Sequence, residues 1–146
     1  MKKIVAAKLH GITVTGADLN YHGSITLDPD HCAAVGLLPL EFVDIWNKNS
    51  GARISTYVIY GQRGSRCCIL NGAAARTCQI GDQIISCSSD FIEPAALDGV
   101  RTKVLTFKPG NQVHELLTYA VDKLADGQFS FEILPHHDVA SEVDSA

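Results

Sequence analysis

The chain has 146 residues, long enough to fold as one domain around its own hydrophobic core. Its 12 Lys and Arg stand against 16 Asp and Glu, a formal charge of -4, which excludes the basic footprint of a nucleic-acid-binding domain. No apolar run approaches the roughly 20 residues of a membrane helix, and the apolar residues 4–7 are too few for the roughly 7–15-residue core of a signal peptide.

Short apolar or alternating bursts separated by turn residues predict strands over residues 3–9, 12–14, 24–27, 42–47, 54–60, 67–70, 83–88 and 103–107. Between them stand turn signals such as Asn49-Ser50-Gly51, Gly81-Asp82 and Pro109-Gly110-Asn111. Asp28-Pro29 is an N-cap followed by proline and opens a short helix over residues 30–35 that stops at Gly36. Ala73, Ala74 and Ala75 favour a second helix over residues 72–78. Val113, Leu116, Leu117, Ala120, Val121 and Leu124 repeat at helical spacing and predict a longer C-terminal helix, capped by Asn111 and ended by Gly127. Residues 136–146 are small and polar and are expected to be disordered. Eight short strands without βαβ alternation predict a single mainly-β domain, a closed barrel with short helices.

Five cysteines (Cys32, Cys67, Cys68, Cys78, Cys87) form no C-x-x-C pair, so neither a disulfide framework nor a zinc site is indicated. They fit small buried hydrophobes in the reducing cytoplasm. The pair His136-His137 lies in a polar tail, and no metal is expected there.

The first chemistry-bearing stretch is Tyr21-His22-Gly23-Ser24-Ile25-Thr26. As a dipeptide Gly-Ser is an ordinary turn pair, and the chain holds a second one, Gly64-Ser65, that reads only as a turn. What distinguishes Gly23-Ser24 is the rest of the chain. Lys8-Leu9-His10, Val14-Thr15-Gly16-Ala17-Asp18-Leu19, Tyr21-x-Gly23-Ser24 and Asp44-Ile45-Trp46-Asn47 stand in order. Arg53-x-Ser55-Thr56-Tyr57, Arg63-Gly64-Ser65-Arg66, Asn71-Gly72-Ala73-Ala74-Ala75 and Gly81-Asp82 follow. Together, over roughly residues 1–111, they resemble the bacterial aspartate 1-decarboxylases.

The resemblance implies a double-psi β-barrel, assembled as a homotetramer with active sites between protomers. It implies self-cleavage between Gly23 and Ser24 into chains of residues 1–23 and 24–146. Ser24 Oγ attacks the Gly23 carbonyl, elimination follows, and hydrolysis leaves a covalent pyruvoyl group on residue 24. Serine is a weak nucleophile until activated, so the fold must strain the peptide and stabilise an oxyanion. Gly23 is expected to help by adopting backbone angles closed to other residues. Thr56 and Asn71 match the residues that assist this step, and both side chains can donate to an oxyanion.

The pyruvoyl ketone is then expected to condense with the amine of L-aspartate as a Schiff base and act as an electron sink while CO2 leaves. Tyr57 matches the proton donor that completes β-alanine, a precursor of pantothenate and coenzyme A. Lys8 and Arg53 match cations that hold the substrate carboxylates, Arg53 as a bidentate fork and Lys8 as a point charge. Gly72, Ala73 and Ala74 match a substrate-contacting segment whose backbone N–H groups can hold an anion. Thr56 is shared between processing and substrate binding. His10, Tyr21 and Trp46 match further pocket residues, and His22, just before the cleaved glycine, is a candidate general base. One tension stands out. Arg53 and Tyr57 share a strand face, whereas Thr56 points the other way unless a bulge re-aims it. Two other readings remain at this point: the same chemistry on another amino acid, or an unprocessed barrel that only binds. The chain beyond residue 112 has no assigned role.

Overall fold

The computed structural model describes residues 1–136. They form ten strands, one α-helix and short 3-10 turns. β1 is Lys2–Thr13, β2 Gly16–Asp18, β3 Ser24–Leu27, β4 Phe42–Asn47, β5 Arg53–Tyr60, β6 Cys68–Asn71, β7 Gln83–Ile92, β8 Arg101–Lys108, β9 Gln112–Lys123 and β10 Phe129–Pro135. The sheet order is β10-β9-β8-β1-β7-β4-β5-β3-β6-β2, with parallel pairs β1/β8, β2/β6 and β3/β5. This is the mainly-β architecture expected, consistent with a double-psi barrel.

Alternation decides which residues enter the core. Val43 and Ile45 of β4 and Val58 of β5 point inward, as do Leu9 and Ile12 of β1. Leu9 and Ile12 are three apart, so a regular strand would place them on opposite faces. An irregularity in the β1/β7 register between His10 and Ile12, with Gly11 at φ 79°, inserts the extra residue that returns both to the core. The same glycine interrupts the alternation, which is why the sequence suggests two strands where there is one.

α1, Pro29–Val35, is capped as expected. The Asp28 carboxylate accepts from the Asp30 amide at 2.9 Å, and Gly36 closes the helix in the left-handed region. Asp28 also accepts from the amides of Gly64 and Arg66. Burial alone would raise its pKa, but these three N–H donors outweigh it and hold the carboxyl below its ordinary value.

The predicted C-terminal helix does not form. The segment is β9, paired antiparallel with β8 and followed by β10. Gly110 (φ 75°) and Asn111 (φ 55°) are both left-handed, so the chain reverses instead of entering a helix. Nor does the Asn111 side chain cap a helix. It bonds the Thr13 amide and carbonyl, each at 2.8 Å, and the Arg66 carbonyl at 3.1 Å. Leu116, Thr118 and Ala120 are buried at strand spacing. Leu117 and Val121 lie on the opposite, half-buried face, while a register irregularity after Val113 turns that residue to the core. A strand apolar on both faces satisfies the helical template by coincidence, while Val113, Thr118, Tyr119 and Val121 favour a strand. The second predicted helix is a 3-10 turn, Gly72–Arg76. Of the tail expected to be disordered, His136 is described: its amide donates to the Leu116 carbonyl at 3.0 Å. The remainder lies outside the described residues.

Candidate active site

Ser24 opens β3 directly opposite Asn71, the last residue of β6. Both are buried. Asn71 Nδ2 donates to Ser24 Oγ at 2.9 Å and to Thr26 Oγ1 at 2.8 Å, so both amide hydrogens are used inside the barrel. The Ser24 hydroxyl in turn donates to the His22 carbonyl at 2.9 Å. His22 therefore touches the serine through its backbone. Its ring lies edge-on to Tyr21, with centroids 5.4 Å apart. Thr26 was not singled out from the sequence, although the Ser24-x-Thr26 spacing on a strand puts both hydroxyls on one face.

The other Gly-Ser pair looks quite different. The Ser65 hydroxyl donates to the Gln62 carbonyl at 2.6 Å in an exposed turn. A buried Oγ bonded by an amide side chain is what separates Ser24 from Ser65.

A cavity of about 360 Å³ adjoins Gly23, lined also by Ile54, Ser55, Thr56, Ala73, Ala74 and Thr77. Thr56 and Gly23 thus face the same space. Among the described residues the Thr56 hydroxyl has no hydrogen-bond partner, which leaves it available there. Gly72 packs closely against Gly23. Its φ is 66°, and a Cβ on it would stand 2.7 Å from Gly23 Cα and 2.9 Å from Gly23 N. Gly23 itself has a negative φ, and a Cβ there would meet open space. Gly23 thus lies outside the left-handed region, and the glycine that occupies it is Gly72, whose backbone packs on Gly23.

The remaining predicted residues gather elsewhere. Trp46 stands opposite Arg53 and Ile85, and Ile85 opposite His10. One row along, Lys8, Cys87, Asp44 and Ser55 are aligned in the same way. Tyr57 follows two residues on and packs against Phe42, with ring centroids 6.0 Å apart and planes tilted at 49°. The Arg53 guanidinium lies 4.9 Å above the Trp46 ring. Lys8, His10, Trp46, Arg53 and Tyr57 thus share one sheet face. The pairing of β4 with β5 runs without a bulge, so Thr56 does point the other way, toward Gly23. The His10 pKa is lowered, by burial first and then by Lys8 and Lys48. Tyr21 is half exposed and belongs to neither group in its side-chain contacts, although its carbonyl would lie 3.2 Å from a Cβ on Gly72.

Within one chain, then, the site falls into two parts. One is the buried serine with its cavity, and the other is a cationic and aromatic face on the opposite side of β5. Among the described residues no group of three or more His, Cys, Asp or Glu is placed to hold a metal.

The model of the aspartate decarboxylase family matches residues 1–114. Aspartate 1-decarboxylase of Beijerinckia indica is 66% identical over 134 residues, 92% of this chain and 89% of the relative. That of Agrobacterium fabrum is 65% identical over 92% and 88% of the two chains. That of Rhodospirillum centenum is 60% identical over 100% and 94%. The protein is an enzyme, a carboxy-lyase. It belongs to the aspartate decarboxylase family.

Proposed function

We propose that this chain decarboxylates L-aspartate to β-alanine with a pyruvoyl group that it makes from Ser24 by cleaving the Gly23–Ser24 bond. The observation that carries this is the buried Ser24 Oγ, held by Asn71 next to Gly23, which with Thr56 lines a cavity. In processing, Ser24 Oγ attacks the Gly23 carbonyl and the amide becomes an ester. The Thr56 hydroxyl is the donor left for the developing oxyanion, and Asn71 assists by holding the attacking Ser24 Oγ. Elimination frees the Gly23 carboxylate, and water then displaces ammonia from residue 24.

The residues fit a carbonyl group at position 24. Asn71 Nδ2 reaches residue 24, where its present acceptor Oγ leaves with Gly23, so that N–H would be freed for an oxygen on Cα, and the small side chains of Ala73 and Ala74 leave room nearby. When present, that group supplies an electron sink for the bond that breaks. The protein's own side chains do the rest. Arg53 and Lys8 hold the two substrate carboxylates, and Trp46 fixes the Arg53 plane. Tyr57 holds the proton that Cα receives after CO2 leaves. His10 lines the same face.

Because these groups lie on two sides of β5, the complete site forms when the face of one protomer covers the cavity of another, as in a homotetramer. The free, mostly buried cysteines support a reducing, cytoplasmic setting, with β-alanine passing to pantothenate synthesis. Intact mass and product analysis test the whole reading. Two chains split after residue 23, together with β-alanine formed from L-aspartate, are expected. A single species near 15.7 kDa that forms no product would remove it.

Two substitutions separate processing from turnover. Gly72→Ala forces a left-handed alanine, at a cost of about 1–2 kcal/mol, and drives a methyl into Gly23. Intact mass over time is expected to show cleavage slowed at least ~10-fold. Native-like cleavage would mean that the Gly72–Gly23 contact does not set the geometry. Tyr57→Phe keeps the ring against Phe42 and is expected to cleave normally while kcat falls by about 10²–10⁴. Full turnover in that variant would assign the proton to another donor.

A further inference from the structure

We propose that Tyr119, on the C-terminal hairpin, positions the Lys8 ammonium for a substrate carboxylate. The inference rests on the assignment of Lys8 to substrate binding made above. It gives a role to a strand beyond residue 114, where the family match ends.

The topology brings the two residues together. Lys8 on β1 stands opposite Val104 on β8, and Val104 stands opposite Leu117 on β9. Tyr119, two residues further on β9, therefore shares the face of Lys8, His10, Trp46 and Arg53. Lys8 Nζ lies 5.7 Å from the centroid of the Tyr119 ring, within cation–π reach. The ring is itself braced. It meets Phe131 of β10 edge-on, with centroids 5.6 Å apart and planes at 73°, and Ile133 is its cross-strand partner.

A lysine that receives a carboxylate has two competing needs. Its long side chain must be held still, because each rotamer frozen on binding weakens affinity. Its charge must also stay available, which an acidic neighbour would prevent. An aromatic face meets both needs, since it attracts the ammonium without neutralising it. The surroundings agree. Among the described residues Lys8 has no ion-pair partner. The acid in its row, Asp44, faces Lys3 instead, at 3.9 Å. Tyr119 touches Lys8 and not Ser24 or Asn71, so it is a positioning residue.

Steady-state kinetics on the assembled, self-processed enzyme test this. Tyr119→Leu is expected to raise KM for L-aspartate roughly three- to tenfold with kcat little changed. Tyr119→Phe keeps the aromatic face and is expected to restore the native KM. In a Lys8→Ala background Tyr119→Leu should add no further rise. A direct measurement needs no variant to fold. With lysines carrying ¹³C-methyl labels, the Lys8 signal of the native enzyme should be shifted upfield by the ring. If Lys8→Ala raises KM but Tyr119→Leu does not, Lys8 binds substrate and the positioning role is overturned. If Lys8→Ala leaves KM at its native value, the substrate assignment of Lys8 fails, and the inference with it. An unshifted Lys8 signal in the native enzyme overturns the stack itself.

Discussion

Ser24→Ala is expected to stay a single chain near 15.7 kDa and to form no β-alanine above background. The substitution removes the one oxygen that can attack the Gly23 carbonyl, so neither the new chain end nor the carbonyl at residue 24 can arise. The fold should survive. Alanine fits where serine is already fully buried, and Asn71 Nδ2 keeps its second acceptor, Thr26 Oγ1. Losing the bond from Asn71 and the bond to the His22 carbonyl costs about 1–3 kcal/mol together, within the stability of an ordinary domain. Ser65→Ala is the matched control. Its hydroxyl donates to the Gln62 carbonyl and accepts from the Cys67 amide in an exposed turn, so that variant should cleave and turn over as the native chain does. Intact mass and β-alanine release, measured on both variants, decide the matter. Decarboxylation by Ser24→Ala would sink the mechanism.

Much of the barrel was legible because its strands alternate. β4 has a buried residue at every second position from Val43, and its predicted limits agree with the structure. The helix behind Asp28-Pro29 was legible for a similar reason: cap, proline and terminal glycine all act locally. Failures came where two faces are both partly apolar, as in β9, or where a long-range contact decides the outcome. Nothing near Asn111 in sequence indicates that its amide will bond Thr13 and Arg66 rather than open a helix. Nor does anything near Gly72 reveal that its missing Cβ makes space for Gly23. The site residues came from the order and spacing of many short segments, but their arrangement did not. Thr56 and Tyr57 are the exception. Adjacent residues on a regular strand must face opposite ways, and that local rule already hinted at a divided site.

The division leads to an expectation that no single variant can test. Arg53→Ala should process normally, because Arg53 lies across β5 from Thr56 and Gly23. It should lose about a hundredfold or more in kcat/KM, since a substrate carboxylate is left without its fork. Ser24→Ala should be inactive. If each site joins the cavity of one protomer to the face of another, the two defects need not coincide. In assemblies that mix both chains at random, a site is intact when an Arg53→Ala protomer supplies the serine and a Ser24→Ala protomer supplies the arginine. That combination arises at about a quarter of the sites in a symmetric oligomer. Co-expression with two different tags and purification through both isolates the mixed assemblies. Activity near a quarter of native, against almost none from either variant alone, is the expected result. Activity no greater than the sum of the two separate variants would place Arg53 and Ser24 in one protomer's site. β5 would then have to twist or bulge in the assembled enzyme, because a regular strand keeps Arg53 on the face away from the cavity.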